Sequence, residues 1–450
     1  MSVLLRLALL LSLFASCTIF RTSETRLVGK IRHEITRSTV FSSAFTGFTL
    51  LDPVSGKTLV DVQGDHYFIP ASNTKILTLA ACLEFLGDSI PGLQYAYNTA
   101  GQLLLKGTGD PTFLHPDFAD WQLGLAWIKA QHKPFSIIPE SVPRFGPGWS
   151  WDDFNEPYSA ARSAFPVYGN LLQWKKQAGQ WTCTPPLFSA ENIAFSTYRG
   201  PQPGVITRKE ASNSNIIFTA SAPDSAFLDG FEQSIPMPAS AFTPETLRQI
   251  LADTLGTDVA FSTATDFQQP QSPWQTLYCT PVDTVLRRMM YQSDNLIAEQ
   301  LLMACGGRKY QTLDQDSVIQ WMLDSVFVAI LQRPRWVDGS GLSRYNLMTP
   351  QSLVQVLYRL WKTQPVARLL SLFPAGGVSG TVSNWYPGDR GKPYVFAKTG
   401  SMGGVVCLSG YVTCRSGKTL IFSFMHNNFV GSNRPWKAEM QRILTLVRQY

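Results

Sequence analysis

Three short stretches of this chain combine residue types that can do chemistry together. In IPASNTKILTLAACLEFLG a serine and a lysine, Ser72 and Lys75, stand three apart, and Ser293-Asp294-Asn295 and Lys398-Thr399-Gly400 follow further along. Ser-x-x-Lys, Ser-x-Asn and Lys-Thr-Gly each occur once, in that order. A serine hydroxyl is a poor nucleophile until a base removes its proton, and a lysine can be that base when burial and a neighbouring cation depress its pKa. Lys398 can be that neighbour to Lys75. Ser293 can relay a proton between the lysine and a leaving amine, while Asn295 carries both an amide donor and a carbonyl acceptor for a substrate peptide. Backbone N–H groups of Ser72 and Ser401 would form an oxyanion hole. Each stretch also has a plainer reading: Ser72 as a helix cap with Lys75 in solvent, Ser293-Asp294-Asn295 as a cap or turn, Lys-Thr-Gly as a strand end. An isolated Ser-x-x-Lys arises by chance about once in a chain this long, but the three together leave the purely structural reading below roughly one in twenty.

These groups need elements that converge. Pro70 and Ala71 fit a helix entrance, and Ile76, Leu79, Ala80, Leu83 and Leu86 recur at helical spacing, which predicts an amphipathic helix with Ser72 in its first turn. Residues three apart share a face, so the Lys75 ammonium reaches the Ser72 hydroxyl. Phe45 to Leu51 and Thr58 to Val62 read as strands joined by the turn-rich DPVSGK, and Gly404 to Thr413 and Thr419 to Met425 as a second pair around RSGK. Thr284 to Leu302 and Leu313 to Leu331 read as a helical region, and Trp436 to Val447 as a closing amphipathic helix. Lys398-Thr399-Gly400 precedes Val405 and Val406, so it belongs on an edge strand, where a peptide adds through main-chain hydrogen bonds and Gly400 permits close approach. The expectation is an α+β body, an antiparallel sheet with helices, whose sheet recruits both chain ends. The stretch from about Gln94 to Gln275 differs in texture, rich in Pro, Gly, Trp and Ser with short strand-like runs such as Asn215 to Thr219. This divides the chain into a discontinuous catalytic domain, 26–93 with 276–450, and a β-rich insertion of one or more domains, 94–275.

Composition sets limits on partners and compartment. A chain of 450 residues with 44% hydrophobic content can bury more than one core. A net charge of +6 from 38 basic and 32 acidic residues, with no long basic run, gives nucleic-acid binding little support. MSVLLRLALLLSLFASC has Arg6 near its start and an apolar run from Leu7 to Phe14, which makes 1–17 a secretory signal, too short for a convincing membrane span. Phe-Ala-Ser-Cys resembles a bacterial lipobox, implying lipidation of Cys17 and an N-terminal membrane anchor, with Phe14 standing where a leucine is usual; a plain signal cleaved nearby is the alternative. The protein is expected to be exported to a bacterial periplasm. The remaining six cysteines match no zinc spacing and read as buried free thiols, and the five histidines show no ligand spacing, so no metal or organic cofactor is expected.

The three patterns form the signature of the penicillin-recognising serine enzymes. Beyond them, the chain resembles the D-alanyl-D-alanine carboxypeptidase/endopeptidase family of class C low-molecular-mass penicillin-binding proteins, peptidase family S13. The resemblance is carried by FIPASNTKILT, LLLKGTGDPTF, WSWDDFNEPY, MYQSDNLIAEQLL, VDGSGLSRYNLMTP, PAGGVSGTV and AKTGSMGGVVCLSGYV. LKGTGDP departs from the family's usual LKGGGDP at Thr108. The 221 positions from Ser72 to Ser293 favour this family over class A β-lactamases and simpler carboxypeptidases, whose gap is nearer one small helical domain. The resemblance implies a β-lactamase-like transpeptidase body with an insertion, and attack of Ser72 on the amide before a terminal D-alanine of a peptidoglycan stem peptide. It further implies Lys75, Ser293, Asn295 and Lys398 as catalytic partners, and Thr399, Gly400 and Ser401 as substrate-binding residues. Thr399 and Ser401 would hold the terminal carboxylate, and β-lactams would acylate Ser72. Two alternatives stay open, a serine β-lactamase or esterase on the same body and a non-catalytic peptidoglycan-binding envelope protein. Asp338 and Arg344 in DGSGLSR border the site in this reading, without an assigned role.

Overall fold

The computed structural model describes residues 24–188, 193–197, 205–209, 214–219, 230–256 and 270–450. The signal segment 1–17 and Cys17 lie outside them. A five-stranded antiparallel sheet forms the spine, in the order Val395–Met402, Val405–Thr413, Thr419–Asn427, Phe45–Asp52, Lys57–Val62. The two strand pairs expected from the chain ends thus join into one sheet, and the strand carrying Lys398 is its edge.

Alternation along the central strands feeds two cores. Val405, Cys407 and Tyr411, with Ile421 and Met425, face one layer, while Val406, Leu408 and Val412, with Phe422 and Phe424, face the other. Fully burying one such side chain contributes about 1.5–3 kcal/mol, so a one-residue slip, which would exchange every inward side chain, is strongly disfavoured. One face is covered by the helix over 24–37 and by the closing helix Arg434–Val447, whose Trp436, Met440, Ile443, Leu444 and Val447 recur at helical spacing and are buried. The other face packs against Pro350–Thr363, started by Thr349, whose hydroxyl accepts from Ser352 N while Ser352 Oγ accepts from Thr349 N. Behind it lie Lys75–Phe85, Val282–Gln292 and Asn295–Tyr310.

Two helical readings need correction. Lys75–Phe85 is not amphipathic in the expected sense: every residue from Lys75 to Cys82 is buried, because other helices and the loop at 338–342 enclose it on all sides. The helix expected across Thr284 to Leu302 is broken. Ser293 takes a left-handed conformation, with φ 58°, ending Val282–Gln292, and the Asp294 carboxylate accepts from Ile297 N at 3.0 Å to start Asn295–Tyr310. Downstream, the region expected from Leu313 to Leu331 is Gln315–Trp321 followed by a π-helical turn, Met322–Val326.

The inserted region holds smaller sheets around its own core of Leu172, Trp174, Ile235, Leu247 and Leu251. A four-stranded sheet runs Gln275–Pro281, Ser89–Tyr97, Leu103–Gly107, Phe135–Ile137; two three-stranded sheets run Glu232–Pro236, Leu171–Gln177, Gln180–Thr184 and Ile193–Thr197, Ser214–Thr219, Val205–Lys209. The cuts drawn from sequence near 93 and 276 fall inside two strands that pair with each other, Leu93 opposite Leu277. No helix among the described residues is long and apolar enough to cross a membrane. The six described cysteines are free thiols, and Cys279 alone among them is only half-buried.

Candidate active site

Ser72 lies in a tight 3₁₀ turn, Ala71–Thr74, that precedes the α-helix rather than forming its first turn. Pro70 leads into it, Ala71 adopts a left-handed φ of 47°, and Asn73 N donates to Pro70 O at 3.1 Å, an i to i+3 bond. Two glycines let other elements press on this turn. A Cβ on Gly341 would stand 1.9 Å from Ala71 O, and one on Gly400 would stand 2.5 Å from Pro70 O. Only glycine permits such approach, so the edge strand and the loop at 338–342 converge on Ser72.

Lys75 is fully buried and its amine has three neighbours. Nζ lies 3.0 Å from Ser72 Oγ, 2.6 Å from Asn295 Oδ1 and 2.7 Å from Ser340 O. Two of these can only accept. A neutral amine has two hydrogens for them and one lone pair left, which then points at the Ser72 hydroxyl. Burial lowers the Lys75 pKa to about 8, against the opposing fields of Asp294, Asp338 and Glu299. Of the two causes the sequence reading gave, burial and a neighbouring Lys398, burial is the leading one.

Ser293 sits in the helix break, as the cap-or-turn reading expects. Its left-handed backbone is uncommon for a non-glycine residue and turns Oγ toward the edge strand. There it accepts from Lys398 Nζ at 2.8 Å, rather than meeting Lys75 directly. Lys398 also donates to Thr399 O at 2.8 Å. It is fully buried, and burial followed by the Lys75 charge pushes its pKa well below the ordinary lysine value. Asn295 is the first residue of its helix and spends both ends of its amide, accepting from Lys75 and donating Nδ2 to Tyr158 O at 3.0 Å. Thr399 Oγ1 donates to Thr381 Oγ1 at 2.8 Å, and Ser401 is exposed beyond Gly400 on the same strand.

Sequence reasoning missed two backbone carbonyls. Ser340 O fixes the lysine and Tyr158 O fixes the asparagine, and neither leaves a side-chain signature. Asp338, read as a loop residue without a role, is fully buried and organises that loop, accepting from Gly341 N at 2.8 Å, Ser343 N at 2.6 Å, Asn346 Nδ2 at 2.8 Å and Trp149 Nε1 at 3.0 Å. Arg344 approaches Gly403 O at 3.5 Å, at the turn after the edge strand. Among the described residues no group of three or more His, Cys, Asp or Glu is placed to hold a metal ion.

Comparison with known proteins agrees with this architecture. A D-alanyl-D-alanine carboxypeptidase DacB of Haemophilus influenzae is 26% identical over 430 residues, covering 85% of each chain. A D-alanyl-D-alanine carboxypeptidase of Actinomadura sp. is 26% identical over 425 residues, covering 86% of this chain and 78% of its own. The crystal structure of penicillin-binding protein 4 from Haemophilus influenzae superposes with a TM-score of 0.72 at 21% identity, covering 94% of this chain and 99% of that one, which establishes the shared fold. The D-Ala-D-Ala carboxypeptidase 3 (S13) family matches residues 27–449, and the chain belongs to that family.

Proposed function

We propose that this protein is a serine DD-peptidase that cleaves D-alanyl peptide bonds of peptidoglycan stem peptides through an acyl-enzyme on Ser72. The observation that carries the reading is the set of contacts around Lys75: once the amine is neutral, Asn295 Oδ1 and Ser340 O take its two hydrogens and its lone pair is left for Ser72 Oγ, 3.0 Å away. Ser72 Oγ attacks the carbonyl carbon as Lys75 takes its proton. The oxyanion would face the backbone N–H groups of Ser72 and Ser401, a pairing supported by the close seating of Gly400 on Pro70 and Asn73. Losing one such donor typically slows the reaction by about 10²- to 10³-fold.

Collapse of the tetrahedral intermediate breaks the C–N bond, and the leaving amine takes the proton that Lys75 removed from Ser72, passed on by way of Ser293, which Lys398 orients, so that Lys75 is neutral again. Water then resolves the ester, with Lys75 again as base. The substrate adds to the open edge of Val395–Met402 as an extra strand, its terminal carboxylate held by Thr399 and Ser401 in the field of Lys398. Charging Lys398 in a buried site is unfavourable alone, so an anionic substrate supplies the partner that its lowered pKa lacks. A β-lactam presents the same carboxylate and an amide that stays tethered after ring opening. The Haemophilus penicillin-binding protein 4 has been crystallised in complex with a β-lactam, which supports that part of the reading. The signal-like 1–17 segment and the peptidoglycan substrate support a periplasmic location, with Cys17 as the point of a lipid anchor.

The test is release of D-alanine from a tripeptide ending in D-alanyl-D-alanine. Wild type releases it and Ser72→Ala does not; absence of release from a folded wild type contradicts the proposal.

A further inference from the structure

The Ser340 carbonyl that fixes the lysine is itself held by a carboxyl group that the mechanism above does not use. Glu299 lies one helical turn beyond Asn295 and is fully buried. Its Oε1 accepts from Ser340 N at 2.7 Å, and Lys75 Nζ donates to Ser340 O at 2.7 Å. On its other side Oε2 stands 3.5 Å from Nη1 of Arg162, a buried residue of the inserted region. Flanking residues are held as well: Thr78 Oγ1 donates to Gly339 O at 2.6 Å and Gly341 N donates to Asp338 Oδ1 at 2.8 Å.

As a stabilising device this carboxyl is poor. Neither Glu299 Oε2 nor Arg162 Nε has a hydrogen-bond partner. Burial, with the Asp338 charge adding to it, raises the Glu299 pKa to about 7 despite Arg162. A buried ion pair of this quality is often no better than two well-packed apolar side chains. Groups kept in a core on such terms call for a role.

We propose that Glu299, anchored by Arg162, is a positioning residue for Lys75, fixing the Ser340 backbone so that its carbonyl takes one lysine hydrogen and the lone pair stays on Ser72. The inference rests on the reading of Lys75 as the base. It also gives the inserted region a part in nucleophile activation, since Arg162 reaches the lysine through Glu299 and Ser340.

Two substitutions separate positioning from bulk stability. Glu299→Gln keeps a carbonyl acceptor for Ser340 N, whereas Glu299→Asp keeps the charge and withdraws the acceptor by about 1.5 Å. The readouts are the second-order rate of acylation by a fluorescent penicillin and the thermal midpoint. Misplacement on this scale costs about 10- to 100-fold in rate, so the aspartate is expected to acylate that much more slowly than wild type. The glutamine variant stays within about tenfold of wild type, whichever of the two variants melts lower. Acylation of the aspartate variant at the wild-type rate overturns the proposal, as do equal losses in both variants that track their melting temperatures. Should Glu299→Asp not fold, Arg162→Met with Glu299→Leu replaces the pair by apolar side chains, and wild-type acylation by that double variant is equally contrary. Failure of wild type to label would sink the nucleophile reading instead, so the two failures are distinguishable.

Discussion

The pH dependence of acylation follows from the burial of Lys75, and one substitution should move it in a known direction. At a pKa of about 8, roughly a tenth of the lysine is neutral at pH 7, whereas at the ordinary 10.5 fewer than one in a thousand molecules would be. Burial therefore raises the population of competent base about 300-fold at neutral pH. The acylation rate should climb about tenfold per pH unit up to pH 8 and level off above it. Asp294 comes first among the anions that oppose this depression. Asp294→Asn removes that charge while the side-chain oxygen can still cap Ile297 N, now 3.0 Å away, and Arg288 keeps its ion pair with Asp117 at 2.6 Å. Losing an anion disfavours the ammonium, so the pKa falls and the rate at pH 7 rises. The gain has a ceiling of about tenfold, because a fully neutral lysine is only ten times the wild-type population, and it vanishes above pH 9. Rapid-mixing fluorescence with a labelled penicillin between pH 6 and 9.5 measures both profiles. A wild-type rate flat across that range, or a variant whose profile stays put or moves alkaline, would refute the reasoning.

Other perturbations follow from single contacts. Gly400→Ala places a Cβ 2.5 Å from Pro70 O and 3.1 Å from Asn73 N, both backbone atoms, so the edge strand must move off the Ser72 turn. Thermal unfolding should show a loss of about 1–3 kcal/mol, and acylation should fall more than tenfold; wild-type behaviour would mean the strand does not need this approach. His426 is fully buried and burial holds its pKa at about 3, well below its unfolded value. The unfolded chain therefore binds a proton that the folded one refuses, and stability is full above pH 6.5 and declines as pH falls toward 3. That decline amounts to about 2 kcal/mol between pH 6.5 and pH 5, and denaturant titrations at the two pH values should show it shrinking in His426→Phe. An equal decline in both proteins would assign the acid sensitivity elsewhere.

Much of the site was legible because its side chains are few and chemically distinct. Ser72 and Lys75 had to share a face at their spacing, and Lys398-Thr399-Gly400, expected on an edge strand, lies on the edge of the sheet, with the apolar run that follows it forming the neighbouring strand. What escaped is of two kinds. Local backbone choices escaped because tertiary contacts make them: Ser293 breaks an otherwise continuous helical pattern with a left-handed residue, and the 3₁₀ turn at Ala71–Thr74 depends on strands and loops distant in sequence. Backbone partners escaped because they carry no residue signature. Ser340 O and Tyr158 O fix the Lys75 and Asn295 side chains, yet any residue type offers a carbonyl. Glu299 lay within a quoted motif but looked like one more helix position, since its contacts to Ser340 and Arg162 join segments far apart in the chain. The sequence reading gave burial and Lys398 jointly as causes of the lysine's low pKa; burial leads, and the charges acting on Lys75 are carboxylates that oppose it.

The central claim is that Ser72 is the nucleophile and Lys75 its base. The most direct measurement is mass spectrometry of the mature protein incubated with a penicillin, with peptide mapping of the adduct, beside Ser72→Ala and Lys75→Met. The account predicts a single covalent adduct on the peptide containing Ser72 that persists for many minutes, absent from both variants while they stay folded. An adduct on another residue, or undiminished labelling of Lys75→Met, would contradict it.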